Sequence, residues 1–186
     1  MDDLEKIIKI PTDFKLVSRK SELRNNKKVD ILRFQKDGAF MLNGPRIIIV
    51  LSNNNLVSIK NLTTLPVGKL PDKLKAQKIT QKVFSIANLE YSRNLSFIRI
   101  DKQQRTFINS QGELNQFPVL WIKYGHKNGS YNWVTLGAEG TIIEMEFDSR
   151  WDYYNGRRKT EMWDNDDWVL AREGRGPQLP SPSALA

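Results

Sequence analysis

Acidic side chains gather in the last third of the chain, where they could serve acid–base or metal chemistry. Glu144 and Glu146 alternate along a predicted strand, so both lie on one of its faces. Further carboxylates follow at Asp148, Asp152, Asp164, Asp166 and Asp167. Such groups can transfer protons or bind a catalytic metal ion. The run Asp164–Asp167 lacks the glycine and closing glutamate of a calcium loop, so a solvated acidic turn is favoured and a metal-dependent hydrolase ranks lowest.

The single histidine offers little support for catalysis. His126 lies in the sequence Gly-His-Lys-Asn-Gly, which is typical of an exposed loop. The chain contains no cysteine, which removes thiolate metal sites and disulfides. No phosphate-binding glycine motif is present. The sequence therefore predicts a protein without enzymatic activity, and we assign no catalytic residue, metal ligand or cofactor.

Aromatic and basic residues interleave between Trp151 and Lys159, in the sequence Trp-Asp-Tyr-Tyr-Asn-Gly-Arg-Arg-Lys. Rings that stack on bases, together with cations that neutralise phosphates, are how proteins hold single-stranded nucleic acid. The alternative is an aromatic clamp that is anchored on a sheet and leaves its cations in solvent. A nucleic-acid function would use basic residues of this segment and of a predicted helix, namely Lys73, Lys75, Lys78, Lys82, Arg157, Arg158 and Lys159.

The net charge of +8 is unevenly distributed. Residues 1–110 hold 21 Lys or Arg against 10 Asp or Glu, whereas residues 111–186 hold 8 against 11. The basic half favours acidic partners such as nucleic acid, anionic lipid or an acidic protein. A lysine-rich surface that only confers solubility is the preferred interpretation.

Residues 117–147 carry the clearest strand pattern, with three short strands joined by Asn128-Gly129 and by Gly137–Gly140. An Asn-Gly pair favours a two-residue type I′ turn, which would place Tyr124 opposite Trp133 and Trp121 opposite Leu136. Strand alternation then predicts a core face of Val119, Trp121, Val134, Leu136, Ile143, Met145 and Phe147. The opposite face is predicted to carry Leu120, Ile122, Tyr124, Tyr131, Trp133, Ile142, Glu144 and Glu146.

This second face mixes tyrosine and tryptophan with two carboxylates, a composition found where one macromolecule contacts another. The candidate partner-binding residues lie on this face and on the following aromatic segment, and are Tyr124, Tyr131, Trp133, Trp151, Tyr153 and Tyr154. The competing interpretation is that the aromatic segment folds over the face and buries it.

The remaining patterns predict both helices and strands. Helices are expected at residues 2–10, 12–24 and 71–88, and strands at 29–34, 46–51, 56–62, 95–100 and 105–108. We therefore expect an α+β fold with helices packed on an antiparallel, meander-type sheet. The order of elements suggests two pseudo-repeated α–β halves, although chance is the favoured explanation. The predicted divisions are an N-terminal half (1–65), a helix, meander and aromatic arm (66–170) that either stands alone or forms one domain with the first half, and a disordered tail or vector remnant (171–186).

The helix over Leu70–Asn88 followed by the hairpin Tyr131–Phe147, with its Gly-flanked turn, resembles PepSY-type domains. The likeness covers residues 70–147. It implies a small module in which a helix crosses an antiparallel sheet, with a binding or inhibitory role and no catalysis. Such families belong to secreted or membrane-anchored proteins, whereas the acidic start of this chain shows no export signal.

These observations predict a non-enzymatic binding, accessory or inhibitory module that acts through the aromatic sheet face. The partner is an unidentified macromolecule, and a protein is favoured over nucleic acid. Nucleic-acid binding through the basic half and the Arg/Lys-aromatic segment is the alternative. No window is apolar enough to span a membrane. Because no signal peptide is visible and the chain has no cysteine, a cytoplasmic location is expected, or an extracytoplasmic one if a targeting segment is missing from this sequence.

Overall fold

One antiparallel sheet dominates the fold. The computed structural model describes residues 2–186, with side chains from residue 4 onward. Eight strands form the sheet in the order β1-β2-β3-β4-β8-β7-β6-β5. Their bounds are Phe14–Arg24 (β1), Lys27–Lys36 (β2), Arg46–Ser52 (β3), Asn55–Leu62 (β4), Leu95–Ile108 (β5), Leu114–His126 (β6), Tyr131–Leu136 (β7) and Ile142–Ser149 (β8).

Helices are few and short. They are Asp2–Glu5 (α1), Lys73–Ala87 (α2), Leu89–Ser92 (α3) and Asp166–Arg172 (α4), with a 3-10 turn at Ala138–Gly140 and a small hairpin of Trp151–Asp152 (β9) and Arg157–Arg158 (β10). Strands account for 44% of the chain and helices for 17%. The expected α+β class is therefore wrong, because the protein is predominantly β.

The main cause of that error is β1, where the sequence pattern predicts a helix over residues 12–24. β1 is an edge strand and most of its side chains are exposed, so it lacks the alternation that identifies a half-buried strand. Asn25 and Asn26 both have positive φ, at 50° and 61°. They form the type I′ turn that pairs Arg24 with Lys27, so that β1 and β2 form a hairpin.

The sheet consists of two antiparallel four-stranded units, β1–β4 and β5–β8, which join where β4 pairs with β8. At that junction Ser58 lies opposite Glu146 and Lys60 lies opposite Glu144. The sheet curls strongly, since the backbone N–H of Ile108 at the end of β5 donates to the Asn43 carbonyl in the β2–β3 loop, at 2.8 Å. One face of the sheet is therefore concave across its full width.

α2 covers the other face of the sheet, as the sequence predicts for this segment. Asp72 caps the helix by accepting a hydrogen bond from the Lys75 N–H at 2.8 Å. Its buried side chains are Ala76, Thr80, Val83 and Phe84. They pack on a core that includes Ile47, Ile49, Ile59, Ile122, Val134, Leu136 and Met145. Burial of this apolar surface stabilises the fold at about 25 cal/mol per Å².

The loop between β6 and β7 contains three residues, 127–129, between the paired residues His126 and Ser130, not the expected two. The His126 N–H donates to the Ser130 carbonyl at 3.0 Å, and the Gly129 N–H donates to the His126 carbonyl at 2.9 Å. Gly129 has a φ of 80°, whereas Asn128 lacks the positive φ that a type I′ turn requires. The loop is therefore a type I turn closed by a left-handed glycine.

This extra loop residue moves the pairing of β6 by one position. Tyr124 lies opposite Asn132, and Trp121 lies opposite Thr135. A one-residue shift exchanges the two faces of a strand, so the expected faces of β6 are wrong. Leu120, Ile122 and Tyr124 join the core beneath α2, and Trp121 points to the concave face.

Residues 150–186, called the arm below, lie on the concave face. Trp168 of α4 is completely buried and packs edge-on against Trp163 with ring centres 4.9 Å apart. Its indole N–H donates to the Ala184 carbonyl at 3.2 Å, and Ala184 is itself buried. Within residues 2–186, no helix has both the length and the apolar character needed to cross a membrane.

Candidate functional site

An open groove of about 620 Å³ runs between the concave sheet face and the arm. Its floor is built by strands β3 to β8, and its wall by the arm around Trp151, Arg158 and Met162. Alternation along β6 and β7 directs Trp121, Lys123, Tyr131 and Trp133 into this space. We refer to it below as the groove.

Aromatic side chains form a strip along the groove. The rings of Trp121 and Trp133 are neighbours, with centres 5.7 Å apart and planes inclined by 50°. Arg158 of the arm lies 5.5 Å from the centre of the Trp133 ring. Trp121, Tyr131, Trp133 and Trp151 are all partly exposed, so part of each ring is accessible from the groove.

Lys123 occupies the middle of this strip. Its Nζ atom lies 3.6 Å from the centre of the Tyr131 ring and 5.4 Å from that of Trp121, both within cation–π range. Burial lowers the pKa of Lys123, and the nearby Arg99 lowers it further against an opposing effect of Asp101. Among residues 4–186, no carboxylate forms an ion pair with Lys123.

Glu144 lies on the groove floor and is held by cations from two other strands. Arg105 donates to both of its carboxylate oxygens, at 2.9 and 2.7 Å, and Thr135 donates at 2.8 Å. Lys60 lies 3.6 Å away. Burial alone would raise the pKa of Glu144, but Arg105, Lys60 and these hydrogen bonds outweigh it and lower the pKa to about 2.

Two other acidic groups of this region, Glu146 and Asp164, are paired in the same way. Glu146 receives a hydrogen bond at 2.9 Å from Arg24, and it also pairs with Arg158 of the arm. Asp164 lies 3.1 Å from Lys60. Although burial would raise the pKa of Asp164, Lys60 and Arg158 lower it overall.

A neighbouring buried pair fastens the arm to β2. Arg33 binds both oxygens of Asp166, at 2.6 and 2.8 Å. Asp166 also accepts from the backbone N–H of Asn43 at 2.7 Å and lies 3.6 Å from Arg46. These cations and hydrogen bonds lower the pKa of Asp166 despite its burial. Ion pairs of this kind tie the arm to the sheet, so the groove has a fixed wall.

The charges that line the groove leave a positive excess. Six cations line it, namely Arg46, Lys60, Arg99, Arg105, Lys123 and Arg158. Four carboxylates face them, from Glu144, Glu146, Asp164 and Asp167. The residues that the structure describes contain no group of three or more His, Asp or Glu placed to hold a metal ion. The arrangement is suited to binding an anionic ligand that carries flat rings.

The structure places the candidate partner-binding residues in the groove, in the β9–β10 hairpin at its rim, and on the opposite face of the sheet. Tyr131, Trp133 and Trp151 line the groove. The hydroxyl of Tyr153 lies 2.6 Å from that of Tyr131 at the rim, and Tyr154 is 96% exposed at the tip of the β9–β10 hairpin. Tyr124 is buried on the opposite sheet face, where its ring packs edge-on against Phe84.

The candidate nucleic-acid residues are also separated. The four lysines of α2 (Lys73, Lys75, Lys78 and Lys82) are exposed on the side of the sheet away from the groove. In the arm, Arg158 lines the groove, Arg157 donates to the Leu179 carbonyl at 3.3 Å, and Lys159 is exposed. Arg158 is thus the one candidate of this set among the groove-lining residues.

Sequence reasoning misses several groove residues, including Trp121, Lys123, Lys60, Arg99 and Arg105. One signal for them exists in the sequence. Lys123 directly follows the apolar run 119–122 and Lys60 directly follows Ile59, and a cation next to apolar strand residues implies a polar environment on one face. The positions of Arg99 and Arg105 depend on a bulge between Phe97 and Arg99, which the sequence does not reveal.

We find no match between this chain and any protein-family model or curated protein. The resemblance to PepSY-type domains therefore stays a prediction, and the geometry of the groove is the main evidence about function.

Proposed function

We propose that this protein is a non-enzymatic binding module and that the groove holds a single strand of nucleic acid. The observation that carries the proposal is Lys123, a cation without a carboxylate partner among the described residues, which lies between the rings of Tyr131 and Trp121. A phosphate would supply the missing negative charge, and the adjacent rings would stack on bases.

The shape and lining of the groove support a single strand as the ligand. Proteins that bind single strands combine a basic channel with aromatic platforms on which bases stack. Bases in a duplex are already stacked on each other and cannot reach such platforms. The groove volume of about 620 Å³ lies within the range of about 300–1,000 Å³ typical of ligand sites, which suits a short stretch of strand.

The paired carboxylates on the floor are compatible with this role. Glu144, Glu146 and Asp164 are each compensated by at least one Arg or Lys, so these three do not present isolated negative charge to a phosphate, whereas Asp167 is held by a hydrogen bond from the Asn43 side-chain amide at 2.8 Å. The ion pairs also hold Arg105 and Arg158 in defined positions, which reduces the entropy lost on binding.

The same pairing argues for binding without catalysis. A carboxyl group that acts as a general acid needs a raised pKa, whereas the pKa of Glu144 is lowered to about 2 and that of Asp164 is lowered as well. Both groups are therefore ionised near neutral pH and engaged by cations. The proposal includes the cytoplasmic location that the sequence favours.

A direct test uses fluorescence anisotropy with labelled oligonucleotides of about 12 nucleotides, a length that covers typical single-strand sites. Poly-pyrimidine DNA and RNA strands should bind, and the same sequences annealed to their complements should bind at least tenfold more weakly. Absence of single-strand binding at low salt would contradict the proposal. Equal binding of strand and duplex would also contradict it, since that result indicates attraction to charge alone.

A protein partner is the second candidate, favoured by exposed aromatic residues outside the groove. Tyr153 and Tyr154 at the hairpin tip are 73% and 96% exposed, and large exposed rings are common in protein interfaces. The test is affinity purification from nuclease-treated extract with the wild-type protein and a Tyr153→Ser, Tyr154→Ser variant. A partner retained by the wild type and lost by the variant supports this candidate, and identical retention removes it.

A further inference from the structure

A second cavity, of about 170 Å³, lies on the concave face at the other half of the sheet. It opens between β1–β3 and α4, where the arm packs against the N-terminal strands. Its walls include Ile31, Ile48, Phe40, Leu42, Val169 and Leu170. We call this cavity the apolar pocket.

The interior of the apolar pocket presents mainly carbon atoms. Two charged groups reach it, Arg33 and Asp166, and they bind each other through two short hydrogen bonds. That pair is therefore neutral as a unit and leaves little charge for a ligand. Ile31 and Ile48 at the base are almost fully buried, so the pocket offers a dry surface to an apolar group.

Large apolar side chains also surround the opening. Phe40 is 63% exposed and Leu42 is 40% exposed, and the guanidinium of Arg33 lies 4.7 Å from the centre of the Phe40 ring. Exposed apolar residues grouped beside a cavity mark a binding surface more often than scattered ones do. A ligand that entered the pocket would cover part of this exposed surface.

The mouth of the apolar pocket is positively charged. Lys20 and Arg175 both bind Glu173, each at 2.9 Å, so two cations share one carboxylate. The side chains of Lys20 and Arg175 are largely exposed and that of Glu173 is 32% exposed, so the three can rearrange, and their pairing is weak because solvent screens it. One positive charge remains available at the mouth for an anion.

We propose that the apolar pocket binds a small amphiphilic carboxylate, with its apolar body inside and its carboxylate at Lys20 and Arg175. A cavity of about 150 Å³ accommodates one benzene-sized molecule, so a ring or a short acyl chain fits the observed volume. This site is separate from the groove, and the proposal does not depend on the function assigned there.

The first test is isothermal titration calorimetry with octanoate and with octylammonium, which differ in the sign of their charge. Octanoate should bind with a dissociation constant below about 1 mM, as expected for a ligand of this size. Octylammonium should bind at least tenfold more weakly. Equal affinity for the two compounds would overturn the proposal, and so would the absence of octanoate binding.

Two variants locate the site. Lys20→Glu combined with Arg175→Glu changes only exposed side chains, and it should weaken octanoate binding at least tenfold and favour octylammonium. Val169→Phe should fill the cavity and abolish binding, while Leu114→Phe, at a 66% exposed position of β6, is the matched control. Octanoate binding that persists unchanged in the charge-reversal variant would place the ligand elsewhere and refute the proposal, whether or not Val169→Phe folds.

Discussion

The Nζ atom of Lys123 lies 3.6 Å from the centre of the Tyr131 ring, on the floor of an open groove. The two residues belong to adjacent strands, β6 and β7, and the three-residue loop between those strands brings them onto the same face. Trp121 and Trp133 lie beside them. This contact joins an aromatic platform to a cation and is the basis of the proposed single-strand site.

Replacement of Trp121 by leucine should weaken oligonucleotide binding about tenfold. Leucine retains apolar bulk but has no ring, and base–aromatic stacking contributes about 1–3 kcal/mol per base. Anisotropy titrations of the wild type and the variant measure the change. The matched control is Tyr154→Leu, since Tyr154 is 96% exposed and does not line the groove. A Trp121→Leu variant that folds and binds like the wild type would show that bases do not stack at this position.

The lysines of α2 should contribute little to binding, although the sequence identifies them as candidates. Lys73, Lys75, Lys78 and Lys82 lie on the far side of the sheet from the groove, and salt screens charges beyond about 8 Å at physiological ionic strength. Their joint replacement by glutamine should change the oligonucleotide affinity less than about threefold under those conditions. A tenfold loss would instead indicate a nucleic-acid surface along α2.

Glu144 should make stability depend on pH in the acidic range. Its pKa is about 2 in the folded protein and about 4.3 in an unfolded chain. Because the folded pKa is the lower one, the stabilisation is complete above about pH 4.3 and is lost as the pH falls toward about 2. The shift corresponds to about 3 kcal/mol of unfolding free energy.

Urea unfolding at several acidic pH values, for the wild type and for Glu144→Gln, measures this contribution. The variant should lose part of the acid dependence, and near neutral pH it should be less stable by about 3–5 kcal/mol because Arg105 loses its ion-pair partner and Lys60 retains only Asp164. Glu22→Gln on the edge strand β1 serves as the control. An identical pH slope for the wild type and Glu144→Gln would contradict the assignment.

Much of the sheet could be predicted from the sequence because local patterns specify it. Runs of β-branched residues identify β3, and the asparagine-rich loop at residues 52–55 identifies the β3–β4 hairpin, where Asn53 and Asn54 adopt positive φ. The helix at residues 71–88 is recognisable from its Pro-Asp start and apolar stripe. In these segments the local preference and the fold agree.

The failures occur where tertiary context decides. β1 has too few buried side chains to show a strand pattern, so its weak periodicity suggests a helix. The face of β6 depends on whether the Asn128-Gly129 loop contains two or three residues, and both are compatible with that dipeptide. The loop length decides which side chains of β6 face the groove. A two-residue loop would place Tyr124 on the face with Trp133, whereas the observed three-residue loop places Trp121 and Lys123 there. The groove therefore could not be predicted from the sequence.

The most direct test of the proposed function is the salt dependence of oligonucleotide binding by Lys123→Gln. For single strands, the logarithm of the binding constant falls with the logarithm of salt concentration by about 0.7 per phosphate contact. If Lys123 neutralises one phosphate, the variant should bind more weakly at low salt and its slope should be shallower by about 0.7. Lys78→Gln on α2 should retain the wild-type slope. An unchanged slope and affinity for Lys123→Gln would contradict the central claim.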